Sequence, residues 1–118
     1  MGVTGIGGIF FRSADPESLQ NWYREHFGVA FENGEPWTQS AGPTVFMPFA
    51  RDTDYFPAEK QWMINLRVTG LDELLTSLRN AGITVITDPD WNTPETGKFA
   101  RVHDPEGNPV ELWEPPLE

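Results

Sequence analysis

Two stretches of the chain carry the same hydrophobic rhythm. Residues 6–31 (IGGIFFRSADPESLQNWYREHFGVAF) run parallel to residues 61–86 (QWMINLRVTGLDELLTSLRNAGITVI). Arg12 lines up with Arg67, Leu19 with Leu74, Arg24 with Arg79, and Gly28 with Gly82 after a one-residue deletion. Each copy reads as strand, helix, glycine stop, strand. In the first, Leu19, Trp22, Tyr23 and Phe27 recur at helical spacing. Asp15 is placed to cap that helix, Pro16 sits where its missing N–H costs nothing, and Gly28 supplies a left-handed stop. In the second, Leu71, Leu74, Leu75 and Leu78 form the stripe, Thr69 stands three residues before Asp72 as a capping pair, and Gly82 ends the helix. Both stripes read as core.

The remaining segments predict short strands: 29–33, 37–40 and 44–48 in the first half, with Asn33-Gly34 as a hairpin turn, and 83–87, 98–103 and 109–113 in the second. The fold class is therefore α+β, built from two βαβββ modules. One domain spans 1–118: module 1 about 5–50, a charged, Pro-containing linker about 51–60, and module 2 about 61–115. Residues 88–97 read as a surface loop. Within 61–68 the alternation is clean. Trp62, Ile64, Leu66 and Val68 are expected against the second helix, while Gln61, Met63, Asn65 and Arg67 face the other way. Gly8, Phe10 and Arg12 occupy the equivalent face of the first strand.

The terminal run FARVHDPEGNPVELWEPP is the most informative segment. Asp104-Pro105-Glu106-Gly107-Asn108 reads as a tight turn. Pairing Asp104 with Asn108 sets Arg101 opposite Glu111 and Phe99 opposite Trp113, close enough for a charge pair; a slip of one residue would move Glu111 opposite Val102. Arg101, His103, Glu111 and Trp113 share one face, and Val102, Val110 and Leu112 take the other.

Composition narrows the chemistry. A length of 118 residues supports one core, and a chain this size buries roughly two-thirds of its unfolded surface. No cysteine is present, which excludes disulfides, thiolate metal sites and cysteine nucleophiles. A net charge of −10 repels phosphate backbones, so no nucleic-acid partner is expected. No run is apolar enough to span a bilayer, and Met1-Gly-Val-Thr-Gly-Ile lacks a signal-peptide pattern, so the expected address is cytoplasmic, with no membrane partner. Five Trp exceed what a small core needs and point to an aromatic-lined pocket.

Paired βαβββ modules, the S-x-D-P sequence before the first helix and the terminal D-P-E-G-N-P-V-E-L-W-E hairpin resemble the vicinal oxygen chelate superfamily. That group includes glyoxalase I, bleomycin-binding resistance proteins, fosfomycin-resistance enzymes and extradiol dioxygenases. The resemblance implies an open, U-shaped mixed sheet around a cleft with helices outside, completed in a homodimer. In metal-dependent members, His on the first strand of each module and Glu on the final strand hold a divalent ion. Glu111 matches the final-strand ligand, but the other positions fall on Gly8 and Met63, which offer no suitable donor.

The expected function is a glyoxalase or bleomycin-resistance-like small-molecule-binding protein with no cofactor and without the usual metal site. A metal-dependent lyase, isomerase or dioxygenase is the enzymatic alternative, and it would need ligands such as His103 beside Glu111. A dimeric interaction domain with no ligand is the third reading. Glu111 is the candidate catalytic or cation-binding carboxylate, set against a plain strand-end acid paired with Arg101. Phe10, Arg12, Met63, Asn65, Arg67, Arg101, His103 and Trp113 are the candidate ligand-binding set. Arg12 and Arg67 either grip an anionic group or pair with nearby acids. Trp37 and Trp91 are further stacking candidates, and His26 complements a helix dipole.

Overall fold

The computed structural model describes residues 1–117. Helix α1, Pro16–Phe27, starts where Asp15 accepts a hydrogen bond from the Ser18 amide and ends on Gly28 at φ 69°. Strand β1 is Ile64–Arg67 and helix α2 is Leu71–Asn80. A single 3₁₀ turn over Pro89–Trp91 precedes strands β2, Lys98–His103, and β3, Pro109–Glu114. The sheet has the order β1-β3-β2, with β3 parallel to β1 and antiparallel to β2. The architecture is thus α+β with a three-stranded mixed open sheet.

One sheet face carries the core. Ala100 and Leu112 face each other across β2 and β3, as do Val102 and Val110, and all four are fully buried. Leu71, Leu75 and Leu78 from α2 and Leu19 and Tyr23 from α1 close over them. Burying each such aliphatic side chain contributes about 1.5–3 kcal/mol, so the two helices and one face of the sheet hold one another. Leu66 and Val68 join this core as expected, but Trp62 is 73% exposed.

The hairpin turn binds the first half of the chain to the second. Asp104, only 4% exposed, accepts hydrogen bonds from the amides of Glu106 and Asn108, from Asn108 Nδ2 at 2.7 Å and from Tyr23 Oη at 2.7 Å. Burial, and then the Asp104 carboxylate, push the Tyr23 phenol well above its ordinary range. Two residues on, the Glu106 carboxylate accepts from Ser13 Oγ at 2.6 Å and from the amides of Ala14 and Asp15. It sits at the N-terminal entry of α1, where the helix dipole and free amides favour an anion. These bonds hold its carboxyl below the usual glutamate range.

Several expectations are corrected. The strands expected at 29–33, 37–40 and 44–48 do not form: residues 28–50 hold one bridge, Glu32 with Glu35, across the expected Asn33-Gly34 turn. No regular strand forms in 1–12 either, and the segment 83–87 contributes only the bridge Ile86 to Arg101. Gly5, Gly7, Gly8, Pro36, Gly42, Pro43 and Pro48 interrupt the early segments. Each removes a ladder donor or a side chain that a neighbouring strand would pack on. Thr69 does not cap α2. Gly70 takes the N-cap position at φ 68°, and Glu114 Oε1 from β3 accepts from the Leu71 amide at 3.0 Å.

The Asp104 tie is tested by urea unfolding. Asp104→Ala should cost about 3 kcal/mol and Tyr23→Phe about 1.5 kcal/mol, since each removes a buried charge-assisted bond; a Tyr23→Phe protein with unchanged midpoint would refute it. For Glu106 the folded value is depressed, so its contribution is complete above the unfolded value and fades as pH falls through the folded one. Unfolding midpoints measured downward from pH 6 should therefore decline more in wild type than in Glu106→Gln.

Candidate functional site

The opposite face of the sheet carries polar side chains. Arg101 on β2 lies directly across from Glu111 on β3, which in turn lies beside Asn65 on β1. The register is the one expected from the Asp104-Asn108 turn, whose closing bond runs from the Asp104 amide to the Asn108 carbonyl at 3.0 Å. Arg101 is 6% and Glu111 8% exposed, so these charges stand in a dry setting.

The expected Arg101–Glu111 charge pair does not form. Tyr55, from the segment between the repeats, stands between them. Its phenol donates to Glu111 Oε2, and Asn65 Nδ2 donates to Glu111 Oε1 at 2.8 Å. Arg101 Nη2 donates to the Tyr55 carbonyl at 2.9 Å, and the guanidinium lies 4.8 Å from the centroid of the Tyr55 ring and 5.9 Å from that of Trp91. A stacked, weakly hydrated guanidinium is a favourable partner for an aromatic face. Burial, then the bond to Glu111, push the Tyr55 phenol up to about 12, with Arg101 opposing. The phenol therefore stays protonated and donating throughout the physiological range. Arg101 Nε is buried and has no hydrogen-bond partner among the described residues.

An open depression lies beside this cluster, lined by residues 52–58 and Arg101. Phe49 stacks on Tyr55 at 5.7 Å, and Trp91 meets it edge-on at 6.0 Å.

The other expected site residues are spread more widely. Phe10 is 95% exposed, and Arg12 is exposed with no ion pair among the described residues. Arg67 forms no ion pair with an acid among the described residues; it donates to the carbonyls of Ser40, at 2.6 Å, and Pro43, so it pins the 40–43 segment. Met63 and His103 are half-buried. Trp113 stacks parallel to Phe99 at 6.3 Å and donates from Nε1 to the Thr96 carbonyl at 2.7 Å. Trp37 is exposed, and His26 packs edge-on against Trp22. Tyr55 was not among the sequence candidates. Its signal was the aromatic pair Tyr55-Phe56 inside an otherwise charged run.

The donor set does not fit a family-type divalent metal. Both Glu111 oxygens are taken by neutral donors, Gly8 and Met63 bring no hard ligand, and among the described residues no group of three His, Cys, Asp or Glu side chains converges. Among the same residues no helix is long and apolar enough to cross a membrane.

The helix-backed mixed sheet with a polar, aromatic-flanked second face is that of a glyoxalase-like protein. Residues 8–113 match the family model for the glyoxalase-like domain, and the chain belongs to that family, within the vicinal oxygen chelate superfamily. Among solved structures it is similar to TnmS3, an antibiotic binding protein from Streptomyces sp. CB03234, at 23% identity and a TM-score of 0.63, over 98% of each chain. No curated protein matches.

The chain's two tyrosines, Tyr23 and Tyr55, are both shifted upward. Absorbance titration at about 295 nm should show no tyrosinate near the ordinary pKa of about 10 in the folded protein. Ionisation should begin only nearer pH 12, and both should titrate normally once urea unfolds the chain. By linkage, their contribution is complete below the unfolded value and is lost as pH rises through the folded one. A native titration with one group near pH 10 would refute the Tyr55–Glu111 geometry.

Proposed function

We propose that the chain binds a small organic molecule in the manner of the bleomycin-resistance proteins, without a catalytic metal or other cofactor. The carrying observation is the state of Glu111. The one carboxylate that matches a family metal ligand is held by Tyr55 and Asn65 of its own chain. Neutral donors on both oxygens stabilise the anion without a cation. The antibiotic-binding character of TnmS3 supports the same reading. Asn65 and Arg101 belong to the binding face, with Met63, His103 and Trp113 at its margins and Phe10, Arg12 and Arg67 brought in by the early segments.

We infer further that the early segments gain strand partners in a cytoplasmic homodimer, which would complete two βαβββ modules in a U-shaped sheet. Exposed Ile6, Ile9, Phe10, Phe46 and Met47 lie in segments that lack strand partners, and a second copy would supply cover for them. Light scattering should then give twice the chain mass.

Metal analysis after soaking with zinc, nickel, manganese and iron should find no stoichiometric ion, and none should raise the melting temperature. Organic ligands from a metabolite and antibiotic panel should raise it by mass action. One tightly held equivalent of metal per chain, lost in Glu111→Gln, would overturn the proposal.

A further inference from the structure

We propose that residues 49–60 are a built-in occupant of the ligand site, and that the ligand is a phenol that takes the place of the Tyr55 side chain. This rests on the small-molecule reading above and names the ligand class. Tyr55 makes with the sheet the contacts that a small aromatic ligand would make. Its hydroxyl donates to Glu111 Oε2, and its ring lies 4.8 Å from the Arg101 guanidinium. Phe49 stacks on that ring at 5.7 Å, and Trp91 meets it edge-on at 6.0 Å. With the ring in place, both charges of the polar face are less than a tenth exposed.

The segment is held in a way that permits exchange. Residues 49–60 form no helix or strand. Their backbone bonds, from the Thr53 amide to the Ala50 carbonyl and from the Lys60 amide to the Pro57 carbonyl, stay within the segment. Side chains tie it to the hairpin: the Tyr55 hydroxyl to Glu111, Arg101 Nη2 to the Tyr55 carbonyl at 2.9 Å, and Lys60 Nζ to the Glu106 carbonyl at 3.4 Å. A segment outside the backbone ladders opens at a far lower free energy than the core it lies on. The ligand's chemistry follows from what it replaces. Once Tyr55 lifts, Glu111 Oε2 has lost its donor, which a ligand hydroxyl restores. An aromatic face restores the contact with the guanidinium. A carboxylate in the hydroxyl's place would be repelled by Glu111, and an ammonium group there would meet Arg101, directly across the ladder. The neutral hydroxyl meets neither penalty.

The test follows protein carrying isotope-labelled tyrosine Cζ, with Tyr23 as internal reference and Tyr55→Phe to assign the signals. In wild type, 2-naphthol, whose second ring adds apolar contact area, should move the Tyr55 resonance toward its position in the urea-unfolded chain and leave that of Tyr23 in place. Tyr55→Ala should bind p-cresol, the detached tyrosine side chain, about tenfold tighter than toluene through the hydroxyl. It should also bind p-cresol at least about tenfold tighter than wild type, which must open first. Tyr55→Phe, whose closed form lacks the Glu111 bond, should fall between the two. The inference is overturned by p-toluate or p-methylbenzylamine binding Tyr55→Ala more tightly than p-cresol, or by p-cresol binding wild type as tightly as Tyr55→Phe. A Tyr55 resonance unmoved by 2-naphthol at its solubility limit overturns it whether or not the variants fold. Panel ligands that raise the melting temperature while leaving that resonance in place would overturn this inference alone and leave the small-molecule reading standing.

Discussion

A single buried carboxylate, Asp104, sets the geometry of the whole molecule. Removing a carboxylate from water costs several kcal/mol unless its lone pairs are satisfied. Asp104 meets that demand with two turn amides, the Asn108 side chain and the Tyr23 phenol. Two structural results follow from one group. The turn amides fix where the chain reverses, hence which residue of β2 meets which residue of β3. The Tyr23 bond fixes where α1 sits on the sheet. A one-residue slip would invert every side chain on the slipped strand. Glu111 would then enter the helix-covered face among Val102, Leu75 and Leu78, where no donor awaits it. The register is thus defended twice, by the satisfied turn and by the cost of burying a lone charge.

The sheet divides labour by parity. Ala100, Val102, Val110 and Leu112 close the core, and the alternate positions present Arg101, Glu111 and the Phe99–Trp113 stack. Substitutions on the polar face therefore change that face with little effect on the helix packing. Asp104 stands at the end of that ladder and belongs to both.

Local signals made much of this legible in the sequence. The helix stripes, the Asp15 cap, the Gly28 stop and the Asp104–Asn108 register depend on neighbours a few residues away, and each holds in the structure. What failed depends on distance. The early strands needed a partner to pair with, and alternation alone cannot supply one where glycine and proline recur. Glu114 displaced Thr69 as the cap of α2 from 43 residues away. Helical spacing places Tyr23 in an apolar stripe and turn chemistry accounts for Asp104, but neither local pattern pairs the buried Tyr hydroxyl with its distant acceptor. Tyr55 was hidden because a charged, Pro-containing run reads as linker whatever aromatic it carries.

The Tyr55 strap changes what the Arg101–Glu111 pair is. A direct pair would satisfy both charges internally and present a closed surface. With the phenol on Glu111 and the ring under the guanidinium, the two charges are separated by an aromatic that stabilises each in a different way. Each Glu111 oxygen accepts one bond from its own chain, while Arg101 Nε is buried without a partner among the described residues. The arrangement therefore converts a symmetric ion pair into a satisfied acid and an unsatisfied base. A segment whose sequence reads as mere connection thus becomes the element that holds both charges of the polar face.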